Sequence, residues 1–137
     1  MRAVIDTNIF VSSFFGGNPR KIIDLWKKGQ INLCLSKAIL DEYIEVLRRM
    51  GLGGEKELAE LLSLFASGFN LVFTAKTPKI KVVKDDLGDD KFVECAVALK
   101  AEVIITGDKH LLKLKNYQGI GIARVADFLR IFQEPPD

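Results

Sequence analysis

Four stretches of the chain place carboxylates where a sheet would present them. Asp6 directly follows the apolar run Ala3–Val4–Ile5, and Asp108 follows VIIT (103–106) after one glycine. Asp90, beside Asp89, stands where a helix opens ahead of the 102–106 strand. Glu42 lies about two turns into a helix, with Asp41 and Glu45 as equally visible neighbours. In open α/β sheets, sites gather at the carboxyl ends of strands. Acids collected there without a basic partner repel and raise one another's pKa. A hard divalent cation relieves that repulsion, and oxygen donors without Cys or His suit Mg²⁺ or Mn²⁺. Such an ion binds a phosphate oxygen, lowers the pKa of a water and stabilises a leaving alkoxide. The chemistry implied is metal-dependent phosphoester hydrolysis.

A structural account competes at each position. Aspartate is a favoured helix cap, and Asp90 and Asp108 both precede helices. Glu42 is also placed like a solvated helix charge. Asp6 resists this account more, because a cap seldom follows so short a buried strand.

The elements that must position these acids are read from hydrophobic period and turn residues. Val4–Ile5 is a strand. A helix runs from Asn8 to Phe15 and stops at Gly16–Gly17. Asn18 caps a second helix with Pro19 in its first position, apolar through Ile22, Ile23, Leu25 and Trp26. INLCL (31–35) is a strand, and Ser36 caps a helix over 37–50. Another amphipathic helix spans 55–67, and NLVF (70–73) is a strand. Residues 74–88 carry Pro78, four lysines and two acids, and read as a surface loop with a short extended piece at Ile80–Val83. A helix from Asp89 or Asp90 to about Lys100 leads into EVIIT (102–106). A short helix at 108–113, a strand at 119–123 and a helix at 125–132 follow, and the tail EPPD is frayed. Strands alternating with helices predict a single α/β domain over residues 1–137, with a mainly parallel sheet between helices.

Composition narrows the class. The chain has 137 residues, 48% of them hydrophobic, which is enough for one real core. Twenty basic against 18 acidic residues leave a net charge of +2, too balanced to argue alone for nucleic acid or membrane. Cys34 and Cys95 form no CxxC pair and read as buried thiols of a reducing compartment. No apolar stretch is long enough for a signal peptide or a membrane span, so the expected location is cytoplasmic. No GxxxxGK[ST] or GxSxG occurs, and GIG (119–121) is too short and too late for a dinucleotide fingerprint. A lone histidine, His110, with no serine in a nucleophile elbow, makes a Ser–His–acid triad a poor fit.

In order and spacing, VIDTNIF (4–10), LSKAILDEYIEVL (35–47) and DDKFVECAVALKAEVIITGDKHLL (89–112) resemble the PIN domain over nearly the whole chain. PIN domains are a group of Mg²⁺/Mn²⁺-dependent ribonucleases that includes the toxins of many prokaryotic toxin–antitoxin pairs. The resemblance implies a three-layer α/β/α sandwich and an acidic quartet of Asp6, Glu42, Asp90 and Asp108 that holds the metal, with Asp6 as its central ligand. It implies that Asn8 orients Asp6 or touches substrate, and that Thr106 holds a water or a phosphate. Val93, three positions after Asp90, favours Asp90 over Asp89, and Glu94 is an acid one turn later on the same face. Two departures stand out. Leu87 follows Asp86 where relatives often have Asp-Pro, and His110 replaces an acid that relatives often carry after Thr-Gly-Asp.

The substrate expected is single-stranded RNA. Lys76, Lys79, Lys81 and Lys84 precede the closing acids, and Arg20, Lys21 and Lys109 are further cations for a phosphate backbone. Phe14 and Phe15 are placed either to stack on bases or to pack at a helix or dimer face. The resemblance also implies a homodimer and, for a toxin, an antitoxin partner. Two alternatives remain at this point: a non-catalytic module binding RNA or protein, and a phosphatase of the haloacid dehalogenase type. The phosphatase needs a second aspartate where Asn8 stands.

Overall fold

Short runs of aliphatic residues become strands buried on both faces, as a parallel sheet covered by helices requires. The computed structural model describes residues 1–52, 54–83 and 89–132. Lys84, the rest of the lysine-rich loop through residue 88 and the EPPD tail lie outside the described residues. Among the described residues six strands form one sheet: β1 (Arg2–Ile5), β2 (Asn32–Ser36), β3 (Leu71–Thr74), β4 (Val103–Ile105), β5 (Asn116–Tyr117) and β6 (Ile120–Ala123). Their order is β3-β2-β1-β4-β6-β5. All pairings are parallel except β5 with β6. The helices are α1 (Thr7–Ser12), α2 (Gly17–Lys27), α3 (Lys37–Arg49), α4 (Lys56–Ser67), α5 (Asp90–Leu99), α6 (Lys109–Leu112) and α7 (Val125–Ile131).

The chain winds from β1 through β2 to the β3 edge, then crosses back to β4 on the other side of β1. Right-handed crossovers therefore put α5 on the face opposite α1 to α4. The direction reverses between β1 and β4, so their carboxyl ends flank a crevice of the kind where α/β sheets bind ligands. Asp6 and Thr106 continue these two central strands. The Asp6 N–H donates to Ile105 O, and the Thr106 N–H to Ala123 O.

The core explains why the acids' elements are rigid. Phe10 of α1 and Tyr43 of α3 stack with centroids 4.1 Å apart and planes 3° apart. The buried Tyr43 hydroxyl donates to Ile5 O at the end of β1. Trp26 donates from Nε1 to Phe69 O and Asn70 O, tying α2 to the entry of β3. Cys34 and Cys95 are free and buried. Burial pushes their thiols up to about 11 and about 12, respectively, so both stay protonated and inert.

Several elements differ from expectation. The first helix breaks into α1 and a 3-10 turn, Ser13–Phe15. The Ser13 hydroxyl bonds Phe10 O, and Arg20 takes the carbonyls of Ser13 and Phe14. Pro19 sits third in α2 rather than first, still within the turn whose N–H groups lack helical partners. Cys34 is as buried as Leu33 and Leu35, so β2 is covered on both faces. The two-residue β5 was not expected; Gln118 (φ 50°) and Gly119 (φ 85°) close its hairpin with β6. Ile80–Val83 lies in the loop read from the sequence and joins no strand; the amides of Ile80, Val82 and Val83 bond side chains.

Candidate active site

Asp6 ends β1 as a buried carboxylate, 4% exposed. Contrary to expectation, it also caps α1: Oδ1 accepts from the Ile9 N–H at 3.0 Å. The strand is short, but the chain turns directly into α1, so one side chain serves both places. Oδ2 takes the hydroxyl of Thr106, which is fully buried at the end of β4. Burial raises the Asp6 pKa above 3.8, the nearby charge of Asp108 adds to that, and hydrogen bonds from Thr106, Ile9 and Asn8 oppose it.

Thr106 links the two strand ends. Its Oγ1 donates to Asp6 and accepts from the Asp108 N–H at 3.0 Å. Asp108 is half-buried and caps α6, its Oδ1 accepting from the His110 N–H at 2.7 Å. The cap and the proximity to Asp6 coexist. His110 Nδ1 lies 3.5 Å from the same Asp108 oxygen, which makes it a neighbour of that acid.

Glu42 is separated from its rival acids by the helix face it occupies. Asp41 is exposed and pairs with Lys37 one turn back, and Glu45 is exposed. Glu42 turns inward, where the Thr7 hydroxyl donates to Oε1 and Lys91 Nζ to Oε2. Thr7 follows Asp6 directly, so Glu42 is tied to the residue beside the central acid. Ser36 caps α3 through the Ile39 N–H, as expected, and the Phe10–Tyr43 stack fixes the helix's rotation.

Asp90 occupies the first turn of α5 and is 5% exposed, while Asp89 precedes it as a cap residue without a side-chain cap bond. Asp90 Oδ1 accepts from the Val82 and Val83 N–H groups at 3.1 and 2.9 Å. Glu94, one turn on, accepts from the Ile80 N–H at 2.9 Å. Asn8 presents an exposed side chain, and its backbone N–H supports Asp6. Lys84 lies outside the described residues.

The structure thus links Asp6, Thr106 and Asp108 directly, and Glu42 through Thr7. Asp90 faces the 80–83 segment. Among the described residues, no group of three or more His, Cys, Asp or Glu side chains stands together as an ion site. The donor chemistry nonetheless fits a hard cation: oxygen ligands, with a buried Asp6 whose charge is opposed by that of Asp108. Thr7, Lys91 and Tyr43 were not singled out from sequence. Thr7 and Lys91 directly follow the first and third acids, which was the available signal. A cavity of about 530 Å³ lies elsewhere, between α2 and α7, walled by Lys21, Leu25 and Leu129.

A family model described as the PIN domain matches residues 2–110, from the start of β1 through Asp108 to His110. The chain belongs to the PIN-domain family. An uncharacterized protein of Methanocaldococcus jannaschii, MJ1680, is 34% identical over 122 residues, covering 85% of this chain and 76% of the relative. PIN domains are generally nucleases and generally use divalent metals. Membership in this family displaces the haloacid-dehalogenase reading, which Asn8 already disfavoured. Among the described residues, no helix is long and apolar enough to cross a membrane.

Proposed function

We propose that this PIN domain is an Mg²⁺- or Mn²⁺-dependent ribonuclease that hydrolyses phosphodiester bonds of single-stranded RNA. The observation that carries the reading is Asp6. It is a buried acid at the β1–β4 crevice, held by the Thr106 hydroxyl with Asp108 beside it. Burying such a charge is costly without compensation. Asp6 and Asp108 would hold the ion, with Glu42 and Asp90 completing the set. The ion supplies Lewis-acid chemistry and neutralises charge that develops on the phosphate.

The chain's own residues do the rest. Thr106 fixes one oxygen of Asp6, and the Ile9 N–H fixes the other. Thr7 orients Glu42. Asn8 is exposed, and its side chain would touch the substrate. Lysines 76, 79 and 81 are exposed and supply positive charge for the backbone. An antitoxin-type partner covering the acidic edge, and a homodimer, belong to the same proposal.

A second reading, a non-catalytic PIN module that binds RNA or protein, is favoured by the engagement of Glu42 with Lys91 and of Asp90 with backbone amides. The two separate on a panel of labelled single-stranded RNA, double-stranded RNA and single-stranded DNA, each with Mg²⁺, Mn²⁺ or EDTA. Metal-dependent cleavage confined to single-stranded RNA supports the ribonuclease. Tight binding of intact RNA in every condition supports the module.

A further inference from the structure

The segment after β3 crosses α5 without joining the sheet, so its amides need other acceptors. Glu94 and Asp90, one helical turn apart, provide them. Ile80 N–H donates to Glu94 Oε2, and Val82 and Val83 N–H both donate to Asp90 Oδ1. Successive side chains of an extended segment point to opposite sides. Accordingly Ile80 and Val82 turn inward against the core while Lys79 and Lys81 are exposed; the alternation ends at Val83, which is buried next to Val82.

We propose that Glu94 is a positioning residue: its carboxylate latches the 79–83 segment through the Ile80 N–H and so fixes Lys79 and Lys81 as a rail for an RNA backbone. This deepens the ribonuclease reading and rests on it for the nature of the ligand. The role differs from that of an acid serving the metal from one turn away. A latch needs an acceptor oxygen, which a glutamine amide also offers, whereas an acid serving a cation needs the charge. Asp90 does similar work on the segment but is also assigned to the ion, so Glu94 is the clean position to test.

The test uses Glu94→Gln and Glu94→Ala in the full chain. Amide hydrogen exchange at Ile80 is read by NMR, Mg²⁺ affinity by titration, and affinity for a labelled single-stranded RNA with Ca²⁺ in place of Mg²⁺. The expected result is that Glu94→Ala loses Ile80 protection and binds RNA three- to tenfold more weakly, while Glu94→Gln keeps both. For Glu94→Ala, the salt dependence of RNA binding should flatten by about 1.4 in log–log slope if two phosphate contacts go. Mg²⁺ affinity should stay within twofold in both variants.

Glutamine failing as badly as alanine, or Mg²⁺ affinity falling in both, overturns the latch. Retained Ile80 protection in Glu94→Ala overturns it as well. If the wild-type protein binds no RNA, the ribonuclease reading falls. The Ile80 pattern then still decides the latch: loss in alanine with retention in glutamine supports it.

Discussion

Lys91 Nζ is seated on Glu42 Oε2, joining the first turn of α5 to the middle of α3. Both side chains are less than a third exposed, at 23% and 29%. A partly buried pair of this kind is screened less than a surface one. If Glu42 serves the ion, Lys91 competes with it for the same oxygen. Lys91→Met should therefore tighten Mg²⁺ or Mn²⁺ binding by roughly tenfold, or about 1.4 kcal/mol, in isothermal titration. Unchanged affinity would remove Glu42 from the ion's ligands.

Thr106 donates to Asp6 and accepts from the Asp108 N–H. Thr106→Val keeps the shape and leaves both groups without that partner. An unmet buried group costs about 1–3 kcal/mol, so the urea midpoint should fall accordingly. Nuclease activity should drop as well, because Asp6 loses the bond that holds Oδ2. Thr106→Ser should restore both, which separates the hydroxyl's role from that of the methyl group.

Burial holds the Asp6 pKa above its ordinary 3.8. An acid raised on folding binds its proton more tightly in the native state, so stability falls as pH rises through the raised value. Asp6→Asn removes the charge while keeping an oxygen for the Ile9 N–H. The stability of wild type relative to Asp6→Asn should be least favourable at neutral pH. The deficit should shrink as pH falls through the raised pKa toward 3.8. Urea denaturation at a series of pH values checks this, and a difference that widens on acidification contradicts it.

An ion bound only by the native state stabilises it by mass action. Mg²⁺ or Mn²⁺ at a hundred times its dissociation constant should add about 2.7 kcal/mol to wild type, read as a raised Tm. Asp6→Asn should show little of this shift. Equal shifts in both proteins would place the ion elsewhere.

The sheet was legible because its strands other than β5 are short apolar runs, and each of those five was found within a residue or two of its place. The acids at strand ends were legible for the same reason, since β1 and β4 each stop at a polar residue. Partners across long sequence separations were not. Nothing local to Glu42 announces Lys91 or Thr7, and nothing in KIKVV shows that its amides go to Asp90 and Glu94. The short strand before Asp6 makes it read as a poor cap. The fold lets its two oxygens do different work, one capping α1 and one meeting Thr106. The two-residue β5 was missed because its signal, Gln118–Gly119, lies in the turn and not in the strand.

The Asp6 edge is proposed to cleave RNA with a divalent ion. The most direct measurement is the cleavage rate of a labelled single-stranded RNA in Mn²⁺, for wild type and for Asp6→Asn. Cleavage by wild type that EDTA abolishes and that falls at least about a hundredfold in Asp6→Asn is the predicted result, a loss of about 2.7 kcal/mol in transition-state stabilisation. Equal cleavage by the two proteins, or none by wild type under conditions where it binds the ion and the RNA, would contradict it.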